Sequence, residues 1–566
     1  MRNPIRGRSI QVKRMKNLSI NQGIKSVRPV IWVVVIPVLC LAPFLSKAFH
    51  IDDTIFIWAA EQIQLNPIDF YGFSANWNGF DMPMFDINKN PPFVSYYIAV
   101  VALIFGFNEV ALHLAFLIPA IGISLGTYYL ARPYCRMPHL ASFIAVATPV
   151  FVVSSSNVMS DTMMVFFYVT SAALWIRGIE GDKTICLFAA SILITLAVLS
   201  KYFGITLVPL LLVYSLMAKR RMGKWISFLF IPLIAIGLYQ FMTYSLYGKG
   251  LLGDAAIYSV NSQLEDGTQF SIKLLTGLSF MGGCLISSAF FIPFLWAKRN
   301  ILWGAVGILF LFVLIEKTGL PDFLIPENSN SFQPWLKFQF AIYILSGLHI
   351  LLLSITELWR NRDAFSWFLV FWIMGTFIFA SFVNWTINAR SIYPMLPAVA
   401  VLVTRKLGSR TISANVINRN RILLPLIPAL IVSISVGWAD ASLADCQRKA
   451  ADMIHEKFKK DANTIWFQGH WGFQYYMERS GAKPIAFKKS KIGENDILVI
   501  PLNNSGLITP NKEKFKNTYQ FELMPCRWIS TMSSTLMAGF YWDKKGCMPY
   551  CFGNVEPEKY FIFIPL

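Results

Sequence analysis

Charged side chains are scarce in this chain. They make up 14% of its 566 residues, against 55% hydrophobic and 15% aromatic, at a mean hydropathy of +0.51. That scarcity excludes a soluble domain of this size, and apolar runs of roughly 18 to 20 residues recur along the chain, as in a polytopic helical membrane protein. Acidic residues are the scarcer sign, 31 against 50 basic, for a net charge of +19. Nucleic acid is nonetheless excluded as a partner, because the basic residues lie in short clusters between apolar runs, the arrangement that sets membrane orientation. Other absences narrow the class further. No internal repeat or low-complexity tract is present, no paired CxxC spacing marks a zinc site, and residues 220 to 380 carry no motif.

The flank before the first apolar run also lacks acidic residues. It holds Arg2, Arg6, Arg8, Lys13, Arg14, Lys16, Lys25 and Arg28, which should keep residues 1–29 in the cytoplasm. No small-x-small site precedes His50 and the basic region is long for a signal peptide, so the first span is expected to be retained. Parity then orders the rest. Runs end at Arg132 and Arg136, at Arg177 and Lys183, and at Lys219, Arg220, Arg221 and Lys224. Later ones reach Lys298 and Arg299, Arg360 and Arg362, then Arg405, Lys406 and Arg410. All of these clusters fall inside if "FVSYYIAVVALIFGF", residues 93–107, does not cross. At about 15 residues it has the length of an interfacial or re-entrant helix. The expectation is an all-α polytopic membrane protein of about 13 spans over residues 30–438, with a large first outer loop at 49–108. The expected location is a bacterial inner membrane.

From Ala439 the composition changes. An amphipathic helix "ADCQRKAADMIHEKFKKD" precedes "TIWF", the loop "QGHWG", the helix-like "FQYYMERSG", and the strands "PIAF" and "DILVIP". This alternation predicts a small α/β extracytoplasmic domain over residues 439–566. Its cysteines, Cys446, Cys526, Cys547 and Cys551, could form disulfides in an oxidising compartment.

The polar residues hardest to explain gather on the outer side. His50, Asp52 and Asp53 open the first outer loop directly after the run "PVIWVVVIPVLCLAPFLSKAF". Lys89 precedes "NPPFVSYY", where Pro91 and Pro92 suit the start of a helix. Asp161 sits in "SNVMSDT", Lys201 in "LSKYFG", and Arg390 in "NWTINARSIYPMLP". Each has a plain explanation: a solvated turn for the Asp pair, a helix cap for Asp161 with Ser160, and snorkelling for Lys201 and Arg390. Basic residues at outer span ends, however, run against the orientation signal, and ionisable groups at that depth are expensive.

The order "HIDD … NPPFVSYYIAV … SDTMMVFF … LAVLSKYFGITLVPLLLVY" resembles the polytopic, lipid-phosphate-dependent glycosyltransferases of the GT-C class. Within them it is similar to bacterial relatives of protein O-mannosyltransferases and to the aminoarabinose transferases of lipid A. The likeness is clearest over residues 50–215 and weaker at "ARSIYPMLP"; "GHWGFQYYMERSGAKP" is similar to the soluble tails of some members. The aminoarabinose transferases carry Lys directly before Pro-Pro, where this chain has Asn90, with Lys89 one step earlier. Asp53 stands where Glu is frequent.

The resemblance implies transfer of a sugar from a polyprenyl-phosphate carrier to a hydroxyl of a glycan, lipid or protein acceptor. Such a donor already has a good leaving group, so the step needs a base and cations for the phosphate. Asp52, Asp53 and Asp161 are the acidic candidates, with Asp52 as base; Lys201, Arg390 and Lys89 are the candidates for the donor phosphate. The carrier chain would lie in a groove among the spans. A magnesium or manganese ion could be shared by Asp52 and Asp161 if they converge, although two carboxylates are too few to require one. The alternative is a transporter or flippase of lipid-linked sugars. Transporter sites lie near the midplane in repeated halves, whereas here the charges collect at one face and no repeat is visible.

Overall fold

The computed structural model describes residues 27–318, 333–414, 421–460, 462–511 and 515–565. The basic flank over residues 1–26 lies outside them. Among the described residues, eight helices are long and apolar enough to cross a membrane, or ten when each of two bent pairs counts as one span. The remaining three expected spans appear as the shorter Val27–Leu41 and Thr184–Ser200 and the more charged Leu396–Ala414. The structure is therefore polytopic and helical, with eight to ten spans by length and composition alone among the described residues. One bent pair has a legible cause. Pro149 cannot continue the helix Pro138–Val146, so it opens a second one, Pro149–Ser155, at 66° to the first. Thr148 caps that second helix, its Oγ1 accepting from the Phe151 N–H at 3.3 Å.

Ion pairs gather at the two ends of the bundle. At one end Arg405 meets Glu357 at 3.1 Å and Asp363 at 2.5 Å, Lys219 meets Asp182 at 2.6 Å, and Tyr134 stacks on Phe365. At the other end lie Asp52, Asp161, Lys201 and Arg390. The helix Phe93–Phe105 starts and finishes at this second end. Tyr96 near its start donates to the Pro67 carbonyl, and the next helix begins at Glu109, which accepts from Arg448 and Tyr476 of the tail. Val100, Leu103, Ile104 and Phe105 form an exposed apolar face on it. Both of its ends therefore lie at the end of the bundle that holds Asp52.

One unbroken helix, Leu426–Phe458, carries the chain from the bundle into the tail. The tail's sheet runs Lys483–Pro484, Ile465–Phe467, Ile497–Pro501, Glu558–Pro565 and Phe515–Leu523, the first three parallel and the last two antiparallel. The helix Trp471–Arg479 packs on it through Phe473 and Met477. Residues 526–555 do not join this small core. They pack on the bundle, where Phe552 exchanges hydrogen bonds with Gln339 and the Tyr550 hydroxyl donates to the Gly283 carbonyl.

Candidate functional site

The loop after the first apolar run begins with a strained turn. Ile51 has φ +49°, a left-handed conformation that β-branched residues rarely adopt. The turn is held closed by the Asp53 N–H on the His50 carbonyl at 3.1 Å and by the His50 N–H on Asp53 Oδ2 at 2.8 Å. Asp53 Oδ1 accepts the Val158 N–H at 2.8 Å, joining this loop to the turn before the helix Ser160–Gly181. Both carboxylate oxygens are thus committed to backbone, and the side chain is fully buried. Burial pushes the Asp53 carboxyl up to about 7, against the two N–H bonds that favour its charge. Asp53, named with Asp52 as a catalytic candidate, here serves to tie two loops.

Asp52 faces the other way. It precedes the helix Asp53–Leu65 without capping it, and its Oδ2 accepts from Arg390 Nη1 at 2.9 Å. Arg390 lies in the short helix Ala389–Ile392, which Asn388 caps through the Ser391 N–H at 2.9 Å. Asp161 does not cap its own helix; it accepts from Lys201 Nζ at 2.6 Å. The two pairs adjoin. Burial would lower the Arg390 pKa, but the carboxylates of Asp52 and then Asp161 outweigh it and raise the value. Arg390 Nε is buried without a partner, so part of the guanidinium fork is unspent.

Four of the six named residues therefore converge. Lys89 contacts none of them: its ammonium meets Asp254 at 2.5 Å and lies over the Tyr258 ring, beside a Lys249 that reaches Asp86 and Asp254. Asn90 spends its amide on Asn88 and its carbonyl on Tyr71.

The sequence reading missed a second layer behind these residues. Lys47 and Asp440 form an ion pair at 2.6 Å with no side-chain exposure. The ammonium also donates to Asn157 Oδ1 at 2.5 Å and Ser156 Oγ at 3.5 Å, which accounts for its three N–H groups. Asp440 accepts from Thr531 at 2.8 Å and from the Tyr541 hydroxyl at 2.9 Å. A buried pair is tolerable only when its remaining donors and acceptors are satisfied in this way. Lys47 carried a signal: it too is a basic residue at the end of an apolar run that the charge pattern assigns to the outer side. His50 lies against this pair, Nε2 3.8 Å from Asp440, and neither ring nitrogen has a hydrogen-bond partner. Burial holds its pKa down at about 4.

Two expectations change here. Among the described residues no three His, Cys, Asp or Glu side chains gather to hold a metal, and Asp52 and Asp161 each face a cation instead of one another. The two carboxylates would need further ligands to hold a magnesium or manganese ion. Cys446, Cys526, Cys547 and Cys551 are all free and buried; they serve as small apolar core side chains rather than as disulfides.

Below Lys201 the chain turns through Tyr202–Thr206 into the helix Leu207–Lys219, and there a groove of about 280 Å³ opens towards the helix Ala364–Ile378. Phe203, Pro209, Val213, Phe371 and Gly375 are among the residues that line it. The polytopic bundle thus holds two pairs of cation and carboxylate at one end and an apolar groove that begins beyond Lys201. Residues 89–247, from Lys89 through Asp161 and Lys201, match the family described as dolichyl-phosphate-mannose-protein mannosyltransferase. No curated protein matches the chain by sequence. Among solved structures it is similar to the oligosaccharyltransferase of Archaeoglobus fulgidus in the apo form, at 15% identity over 84% of this chain and 66% of that one, with a TM-score of 0.48. It is also similar to ArnT from Cupriavidus metallidurans bound to undecaprenyl phosphate, at 15% identity over 85% and 94% of the two chains, with a TM-score of 0.40. The chain thus spans just under two thirds of the archaeal protein's length.

Proposed function

We propose that this protein is an integral membrane glycosyltransferase that moves a sugar from a polyprenyl-phosphate donor to an acceptor hydroxyl at the outer membrane face. The observation that supports the reading is the pairing of Arg390 with Asp52 and of Lys201 with Asp161 at one end of the bundle, with an apolar groove lined by Phe203 and Thr206 following Lys201 in the chain. The groove takes the isoprenoid chain, and its head is where the phosphate would lie. Arg390, with Nε still unspent, and Lys201 hold that phosphate by charge-assisted hydrogen bonds. Asp52 accepts the proton of the acceptor hydroxyl. The acceptor oxygen bonds to the anomeric carbon as the bond from that carbon to the phosphate oxygen breaks. The polyprenyl phosphate leaves with its charge held by the two cations. Asp161 orients Lys201. The tail and the first outer loop share the outer compartment with this site.

The test is reconstitution in liposomes with a panel of undecaprenyl-phosphate sugars labelled in the sugar. Release of undecaprenyl phosphate coupled to label on an acceptor supports the reading. Movement of intact donor between leaflets, with the donor bond unbroken, would replace it with lipid translocation.

A further inference from the structure

We propose that Tyr541, on the tail segment that packs against the bundle, is a positioning residue that fixes Arg390 for donor phosphate. The inference rests on the functional reading above and extends the site to a part of the chain that no motif pointed to.

Three contacts join residues 386–390 to residues 540–543. The Ala389 N–H donates to the Phe540 carbonyl at 2.8 Å. Thr386 Oγ1 donates to Asp543 Oδ1. The Arg390 guanidinium carbon sits 5.7 Å from the centroid of the Tyr541 ring, within cation–π range. Arg390 has little else to hold it, since Nη1 meets only Asp52 and the Met159 sulfur and Nε meets nothing. Tyr541, by contrast, is pinned. Its hydroxyl donates to Asp440 and accepts from Asn157 Nδ2 at 2.7 Å, and its ring stands edge-on to His50 at 5.4 Å. The segment itself is fixed by the Phe540 N–H on the Thr531 carbonyl at 2.8 Å and by Thr531 on Asp440.

The consequence is geometric. The same buried carboxylate, Asp440, holds Lys47 near the root of the Asp52 loop and Tyr541 under Arg390. Asn157 belongs to the turn that leads to Asp161 and bonds both Lys47 and Tyr541. The three loops that carry Asp52, Asp161 and Arg390 are therefore all referred to one anchor, and Tyr541 is its reach to the arginine.

The experiment uses the full chain in nanodiscs. Tyr541→Leu removes the ring; Tyr541→Phe keeps the ring and loses both hydroxyl bonds. Loss of a desolvated cation–π contact is worth roughly 2- to 30-fold. Tyr541→Leu should therefore raise the donor KM by that factor with a smaller change in kcat, and Tyr541→Phe should lie between it and the parent. In the Arg390→Gln background neither substitution should add a further loss. Amide exchange over residues 386–392 should quicken in Tyr541→Leu, while exchange in the helix Glu109–Ala131 stays at the parental rate. Equal losses with and without Arg390, or parental exchange at residues 386–392, would overturn the proposal. If Tyr541→Leu fails to fold, Tyr541→Phe decides by the same two readouts. A parent chain that neither transfers sugar nor binds undecaprenyl phosphate would remove the functional reading, and the exchange measurement would still decide the positioning claim.

Discussion

Arg390 Nη1 lies 2.9 Å from Asp52 Oδ2 across a separation of 338 residues. The contact brings the expected base of the reaction against one of the expected phosphate ligands. It also shows that each cation of the site has its own carboxylate, because Lys201 is matched by Asp161 in the same way. A donor phosphate entering the site competes with these carboxylates for the two cations. Removing a single charge should therefore change donor use more than membrane insertion.

Asp52→Asn keeps size and polarity and removes basicity. Turnover is expected to fall by roughly 10² to 10⁴, the usual scale for general base catalysis. Single-turnover transfer in liposomes measures it. Near-parental turnover by a folded, inserted variant would remove Asp52 from the mechanism.

Asp53→Asn should behave differently. Its amide group must turn a donor towards one of two backbone N–H groups that now donate to it. A lost bond of this kind costs about 1–3 kcal/mol, so the expected result is a lower melting temperature with turnover per folded molecule much less affected than in Asp52→Asn. Thermal melts in detergent beside transfer assays separate the two.

Lys201→Gln and Arg390→Gln should each raise the donor KM while leaving expression and insertion intact. Arg390→Lys should rescue only partly, because an ammonium lacks the planar fork. Transfer rate against donor concentration reads this. Parental curves for both Gln variants would make these residues membrane anchors.

Two neighbouring groups should pull pH stability in opposite directions. His50 binds protons less readily folded, at about 4, than unfolded, near 6.5. Its contribution is complete above 6.5 and is lost as pH falls towards 4, on the order of 3 kcal/mol. Asp53 is raised to about 7 from 3.8, so its contribution is complete below 3.8 and is lost as pH rises through 7. The parent should thus show a shallow profile between these values. His50→Gln should melt higher as pH is lowered from 7 to 4, and Asp53→Asn should melt lower. Melting curves from pH 4 to 8 check the signs.

Lys47→Met would leave the Asp440 charge buried without its partner. The expected cost is about 3–5 kcal/mol, the range for breaking a buried pair from one side. Adding Asp440→Leu should recover part of it, which chemical denaturation in detergent can measure.

Much of this site could be read from the chain because its signals were violations. Lys201 and Arg390 are cations where the orientation rule disfavours them, and Asp52 and Asp161 are carboxylates beside hydrocarbon. The same reasoning would have reached Lys47, which ends the first apolar run at the same face. Tyr541 gave no such sign, because a tyrosine in a loop violates nothing and its role depends on contacts with residues far away in the chain. The different surroundings of Asp52 and Asp53 were hidden for a related reason: adjacency in sequence says nothing about direction at a turn where Ile51 has a positive φ. The break at Pro149 alters the shape of a span without altering the order of its ends.

The unbroken helix Leu426–Phe458 limits how this protein can be recombined. Asp440 lies within it, and its partner Lys47 lies at the far end of the sequence. A chimera joined before Asp440 would carry the carboxylate away with the donor tail and strand the lysine. A joint after Phe458 would keep that pair but exchange Tyr541, which meets Arg390 from the tail side. Neither cut yields two interchangeable modules. Bundle and tail should therefore vary together among relatives, as a single unit of inheritance.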